Sequence, residues 1–449
     1  MTKVQQPNAD SDFFSKWHYA LWKAINFGHE MHGSPTDKKT MKAFQRQCHR
    51  GFDHAQKLLL ELVMENRLNN SITPKEQKYR ELLIRKVADS IAYSICGMSP
   101  SGLAPWCTQQ TPIHIDLQEL EFTSKCACKL NSDSKDQFCL IADLTSCIHA
   151  CDILRIDFRE GAQRISTMEV KTGPKNDELY KSLMDGVGKR VCQHYLVEKH
   201  TVKDLKQMRR MLSQITTNYK CTTKFLRNLQ KIPNEMSWYP AYSSRSFAPG
   251  ISKAIASAME LGAAGVLVDG CLLIGLGYSK DPVEAAANAN LIYDGFEKRL
   301  DGESEVRRFS PIKDNLDAMV CVPFCVWNLS LDERVLLARR EVVMKCGLIG
   351  DRFLKLLKEN NCSFEFATRK ETALYKQQNP GKSPWEWDHR AIKLGNLIVG
   401  GHLIQPLSTD LVHPAAMAEI ICAKLNESDM DDIESASPNA SIVINFEYL

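Results

Sequence analysis

The sequence predicts an α/β protein in three parts, and three observations carry that expectation. The first third of the chain repeats apolar residues at helical spacing. Residues 138–170 switch to short apolar runs separated by a polar turn. A Pro- and Gly-marked break near 232–250 then precedes a stretch in which helix-like and strand-like segments alternate. The expected division is a helical N-terminal region over 1–70, a mixed-sheet core with basic helices over 71–232, and an α/β region of unassigned role over 250–449.

Taken in order, Ser11 and Asp12 offer caps to a helix rich in Phe13, Phe14, Trp17, Tyr19 and Trp22. A longer helix over 36–68 places Met41, Phe44, Phe52, Ala55, Leu58, Leu59 and Leu62 on one side. The third helix has the fullest set of signals: Thr73 as N-cap, Pro74 at the first helical position, Glu76 completing a capping box, and Gly97 as the stop. Residues 99–137 read as turn-rich. A strand is expected over Phe138–Ala142, a second over Asp152–Phe158, and a third over Ile165–Val170 after the polar turn 159–163. The last two form a hairpin. Residues 177–230 read as helical. Beyond the break, the sequence predicts a helix over 251–261, a hairpin turning at Asp269-Gly270, and a helix over 282–300. A strand over 318–326 and one helix over 331–358 follow, with strands near Phe364 and Leu397 and a terminal edge strand in SIVINFEYL.

The chain has 449 residues, enough for two to four domains with their own cores, and its 25% charged residues exclude wholesale disorder. A net charge of +3 names no partner, but its distribution does. Between Lys181 and Lys231 twelve Lys or Arg stand against Asp185, Glu198 and Asp204, while the C-terminus gathers Glu427, Asp429, Asp431, Asp432 and Glu434. No apolar run approaches the ~20 residues of a bilayer span, and the first residues do not read as a secretory signal. Sixteen scattered cysteines are therefore expected as reduced thiols in a cytoplasmic setting.

The chemistry concentrates in residues 151–173, CDILRIDFREGAQRISTMEVKTG. In an extended strand Glu169 and Lys171 project from one face and Met168 and Val170 from the other. Pairing across the turn brings Asp152 toward Glu169. Two neighbouring carboxylates repel one another and favour a divalent cation; hard oxygen donors with room for water suit Mg²⁺ or Mn²⁺. A lysine beside them can orient or deprotonate a water and offset charge building on a phosphate.

Asp, a turn, then Glu-x-Lys on a second strand resembles the signature of the PD-(D/E)xK superfamily, the restriction-endonuclease-like nucleases. The resemblance covers residues 74–200. It implies a restriction-endonuclease-like core and a Mg²⁺-dependent nuclease, expected to be an endonuclease acting on DNA, in a setting such as defence against foreign DNA. By the motif, Asp152, Glu169 and the backbone carbonyl of Val170 bind metal and Lys171 assists the water. Glu81, on the preceding helix, matches the extra Glu of some members. Gln193 and Tyr195, in VCQHYLVEKH, resemble the Gln and Tyr of RecB-like members, with one residue between them where that subgroup usually has three. Ala150 and Cys151 stand where the motif often has Pro.

The basic segment, with Lys189, Arg190, Lys203, Lys206, Arg209 and Arg210, is the expected nucleic-acid surface. A solvated helix face is the plainer explanation of the same charges. Cys126, Cys128, Cys147, His149 and Cys151 only loosely match zinc spacing and read better as small buried residues. GLGYSKD at 275–281 lacks the P-loop Lys and reads as a turn, HEMHG at 29–33 lacks metal-binding spacing, and WEWDH at 385–389 reads as a packed aromatic loop that could also stack on bases. Two alternatives stay open: a nuclease-like fold that binds nucleic acid without cutting, and a scaffold that binds a protein partner through its C-terminal region.

Overall fold

The structure, a computed structural model, describes residues 12–26, 38–96, 103–106, 115–157, 164–170, 174–188, 201–230, 246–299, 306–309, 329–378, 384–387, 389–394, 397–400, 407 and 412–428. It is of the mixed α/β class, helix-rich with small antiparallel sheets. The described chain divides into two compact units, one up to residue 230 and one from residue 246. The expected N-terminal region 1–70 and core 71–232 share the first unit.

In that unit, α1 (Phe13–Asn26), α2 (Lys38–Leu68) and α3 (Pro74–Ile95) pack against one another. Asp12 Oδ1 accepts from the Ser15 amide at 2.7 Å, capping α1. Thr73 Oγ1 accepts from the Glu76 amide at 3.2 Å, while Glu76 turns to Arg80 at 3.2 Å. Gly97 lies outside the described residues. Trp17, at the centre of α1, is fully buried and donates its indole N–H to the Leu83 carbonyl.

Residues 117–133, expected to be turns, form a helix, α4 (Leu117–Asp133). Asp116 caps it by accepting from the amides of Gln118 and Glu119. Its buried face is Leu120, Thr123, Cys126, Ala127 and Leu130, so weak hydrophobes do what Leu and Ile do elsewhere. The sheet is the meander β1 (Gln137–Ile141), β2 (Ile153–Asp157), β3 (Arg164–Met168), with β2 central and both pairings antiparallel. β1 is buried along its whole length between α2 and α4. Gln56 of α2 stitches β1 in place, donating to the Cys139 carbonyl and accepting from the Ile141 amide. After β3 come α5 (Pro174–Gly188) and the 29-residue α6 (Val202–Gln230). They meet through Leu179, Leu183, Met208 and Met211.

The second unit begins with α7 (Ala248–Leu261), β4 (Ala263–Val268) and β5 (Leu272–Tyr278). The β4–β5 turn falls where expected, with Asp269 and Gly270 both at positive φ (46° and 68°). GLGYSKD does not read as one turn: Gly275 to Tyr278 belong to β5, and Asp281 caps α8 (Pro282–Glu297). Gly275 and Gly277 let α8 close on the sheet, since a Cβ on Gly275 would meet the Ala289 carbonyl at 2.6 Å.

The single helix expected over 331–358 is three elements: α9 (Leu331–Arg339), β7 (Val342–Ile349) and α10 (Gly350–Glu359). The chain breaks at Arg340, which is left-handed at φ 61°, and VVMKCGLI then fills the sheet between β5 and β6 (Val306–Phe309). A smaller sheet joins β8 (Phe364–Phe366), β9 (Glu386–Trp387), β10 (Arg390–Leu394) and β11 (Leu397–Ile398), with α11 (Arg369–Gln378) and α12 (Pro414–Ser428) completing the unit. Trp385 and Trp387 are buried, packed against Phe353 and Gly350, so they present no face for base stacking. The strand expected over 318–326, HEMHG and the terminal SIVINFEYL lie outside the described residues. Among the described residues no helix is long and apolar enough to cross a membrane.

Candidate active site

The β2–β3 register runs from Asp157↔Arg164 to Ile153↔Met168, which puts Asp152 opposite the end of β3. Asp152 is fixed by its backbone on both sides. Its carbonyl accepts from the Ala142 amide at 2.9 Å, at the end of β1, and its amide donates to the Met168 carbonyl at 3.2 Å. Its carboxylate Oδ2 accepts from the Val170 amide at 2.6 Å. Regular pairing therefore stops at Met168, earlier than the Val170 expected, because an aspartate side chain takes the next amide.

Glu169 follows, buried, and its Oε1 accepts from Asn218 Nδ2 on α6 at 3.0 Å. Asn218 Oδ1 is buried without a hydrogen-bond partner among the described residues, an unsatisfied oxygen beside that carboxylate. Asp152 and Glu169 line one cleft of about 340 Å³ together with Asp143, Asp116 and Glu119. Five acidic residues thus line a common space, with Arg85 and His149 among its other walls.

The loop between β1 and β2, which supplies Asp143 and His149, is held from α3. Arg85 Nη1 donates to the carbonyls of Asp143 (2.8 Å) and Thr145 (2.5 Å). Asp89, fully buried, accepts from the Ser146 amide at 2.7 Å and from the Ser146 hydroxyl. Lys86 Nζ lies 3.9 Å from the same carboxylate.

Burial raises the Asp143 carboxyl above its ordinary range; Glu119, Asp116 and Glu169 push the same way and Arg85 opposes them. The Cys151 thiol is raised well above its usual value, first by burial and then by Glu169 and Asp152, so it stays protonated and is no nucleophile. Burial lowers His149, keeping the imidazole neutral. The Asp143 and Cys151 shifts mark places where one more negative charge is unwelcome, whereas the His149 shift shows that burial and the nearby Arg85 disfavour a protonated imidazole.

The donor set is hard oxygen, which suits Mg²⁺ or Mn²⁺. Among the described residues, however, no group of three or more His, Cys, Asp or Glu side chains is arranged to hold an ion. This applies equally to the cysteine–histidine cluster, in which Cys126, Cys147 and Cys151 are buried thiols. Two carboxylates with a backbone carbonyl and water make an open, hydrated site rather than a cage, so the residues present fit a Mg²⁺-like cation in that form.

Of the residues singled out in the sequence, Asp152 and Glu169 are brought together. Val170 is tied to Asp152 through its amide. Glu81 is buried on α3, where it accepts from the Ile115 amide and pairs with Arg67 at 3.3 Å and Arg85 at 3.8 Å. It is not among the residues that line the cleft, which it meets only by way of its pairing with Arg85. Lys203, Lys206, Arg209 and Arg210 are exposed on α6. Lys171, Lys189, Arg190, Gln193 and Tyr195 lie outside the described residues.

Sequence reasoning missed Asp143, Asp116, Glu119, Arg85 and Asn218. Asp143 had a signal, being the first charged residue after the apolar run that forms β1. So did Asn218, an amide on a buried helix face shared with Met211, Cys221, Thr222 and Phe225. Arg85 had none, since its partners are carbonyls some sixty positions away. No family model matches the chain, and no match was found among curated proteins or solved structures.

Proposed function

We propose that the chain is a metal-dependent nuclease that hydrolyses phosphodiester bonds in DNA, built on a restriction-endonuclease-like core. The observation that carries this reading is the meeting of Asp152 and Glu169 at the paired ends of β2 and β3, on one acidic cleft. Asp152, Glu169 and the Val170 carbonyl would hold Mg²⁺. Bound there, the ion would supply Lewis acidity toward a phosphate oxygen and lower the pKa of water.

The protein's own residues set the stage. The Val170 amide and Asn218 aim the two carboxylates, α3 fixes the loop bearing Asp143, and the neutral His149 adds no competing positive charge. Lys171, two residues beyond Glu169, is assigned the water-orienting role. The scattered cysteines of the sequence are the argument for a cytoplasmic setting, and action against foreign DNA is the biological role the family analogy favours.

The test compares wild type with Asp152→Ala and Lys171→Ala on plasmid and single-stranded DNA, with Mg²⁺, with Mn²⁺ and with chelator. Cleavage is expected only with metal, and each substitution should lower it by about 100-fold or more. Equal cleavage by wild type and Lys171→Ala removes the assignment. The lack of a closed ligand cage among the described residues favours one second reading, a fold that binds nucleic acid without cutting it. Retained DNA binding with no cleavage in either metal would select it.

A further inference from the structure

Helix α6 carries two kinds of residue on a single stripe. Lys206, Arg210, Ser213, Thr217, Lys220 and Lys224 follow one another at alternating steps of four and three, the spacing that keeps side chains on one face of an α-helix. Ser213 and Thr217, in the middle, line the cleft that holds Asp152 and Glu169. Lys206 and Arg210 precede them and Lys220 and Lys224 follow them, all four exposed and without an ion pair among the described residues. The opposite face, with Met208, Met211, Asn218, Thr222 and Phe225, is buried in the unit. A solvated helix has no reason to centre its cations on an acidic cleft.

We propose that this stripe is a phosphate track, on which an extended single strand of DNA crosses the cleft with phosphates bound on both sides, so that cleavage is internal. The cleavage part rests on the nuclease reading above; the track does not. From Lys206 to Lys224 the row runs straight for about 27 Å, at about 1.5 Å per helical residue. A duplex strand winds around its axis once in about 34–36 Å, so over that length it would turn away to the far side. An extended single strand can keep its phosphates in line with the cations. An enzyme trimming ends needs bound phosphates on one side of its cleft only. Here both sides are provided.

Binding is measured with chelator present, by fluorescence anisotropy of a labelled single-stranded DNA 20-mer over a range of salt, so that it is separate from cleavage. Lys206→Glu/Arg210→Glu and Lys220→Glu/Lys224→Glu should each weaken binding by about tenfold or more and flatten the salt slope by about 1.4, two phosphates at about 0.7 each. The control pair Lys253→Glu/Lys355→Glu, with the same change of charge in the second unit, should leave affinity unchanged. With Mg²⁺, covalently closed single-stranded circles should be cut.

Unchanged affinity in either stripe variant overturns the track, as does an equal loss in the control. Tighter binding of duplex DNA or of RNA of the same length overturns the assigned substrate. Trimming of linear DNA with intact circles overturns internal cleavage. Loss of binding in both stripe variants, with no substrate cut at all, leaves the track standing and removes the nuclease reading instead.

Discussion

In the second unit, β5 and β7 bury Leu272, Leu273, Ile274, Leu276, Val342, Met344 and Leu348, and the only polar or charged side chain buried among that unit's described residues is Arg334. Around the β1–β3 meander the interior is different. Glu81, Arg85, Lys86, Asp89, Arg155, Glu169, Asn218 and Thr222 are all buried there, close to a cleft lined by five acidic residues. Burying ions costs stability unless each finds partners, and well-packed apolar residues would serve a purely structural sheet as well or better. The contrast separates a unit built for packing from one that holds charges in fixed positions. That is the physical meaning of a candidate site.

The contrast can be broken first at its most buried ion. Asp89→Ala takes away the carboxylate shared by Lys86 and Ser146 and should cost about 3–5 kcal/mol, read as a lower urea midpoint. In the second unit the equivalent weak point is steric. Gly275→Ala drives a Cβ to 2.6 Å from the Ala289 carbonyl and 3.0 Å from the Tyr293 amide nitrogen, both backbone atoms of α8. It should cost about 1–3 kcal/mol. Gly250→Ala, in the first turn of α7 with nothing within 4 Å of the added carbon, should instead stabilise by about 0.4–1 kcal/mol.

A gentler change sharpens the comparison through pH. Because Asp143 has a raised carboxyl, its contribution to stability is present below the ordinary carboxylate range and lost as pH rises through the folded value. At neutral pH its charge therefore opposes folding. Asp143→Asn should melt higher than wild type at pH 7 without divalent cations, and the gain should vanish below about pH 4. A gain that persists at low pH would show that burial of the charge is not the cause.

Much of the architecture was readable in the sequence because it is signalled locally. Thr73-Pro74 begins a helix by capping chemistry, and Asp269-Gly270 turns a hairpin because both residues accept positive φ. The approach of Asp152 to the end of β3 followed from pairing two strands across a short polar turn. Two elements were misread for opposite reasons. Helix α4 buries Thr, Cys and Ala where stronger hydrophobes were sought. The 331–358 segment has no Pro at its break and passes through Arg340, a residue that gives no warning of a left-handed conformation. Within the site, what stayed hidden was non-local. Arg85 and Asp89 act on carbonyls, an amide and a hydroxyl some sixty positions away, and no spacing rule connects them.

The way α3 grips the β1–β2 loop has a dynamic consequence. Arg85 and Asp89 are one helical turn apart and fasten residues 143, 145 and 146 at successive points, like rungs rather than a hinge pin. Such a segment has no low-energy way to swing out by itself. Its amides should exchange with deuterium only as fast as the whole unit opens, so traffic into the cleft must use a route other than a flapping of this wall.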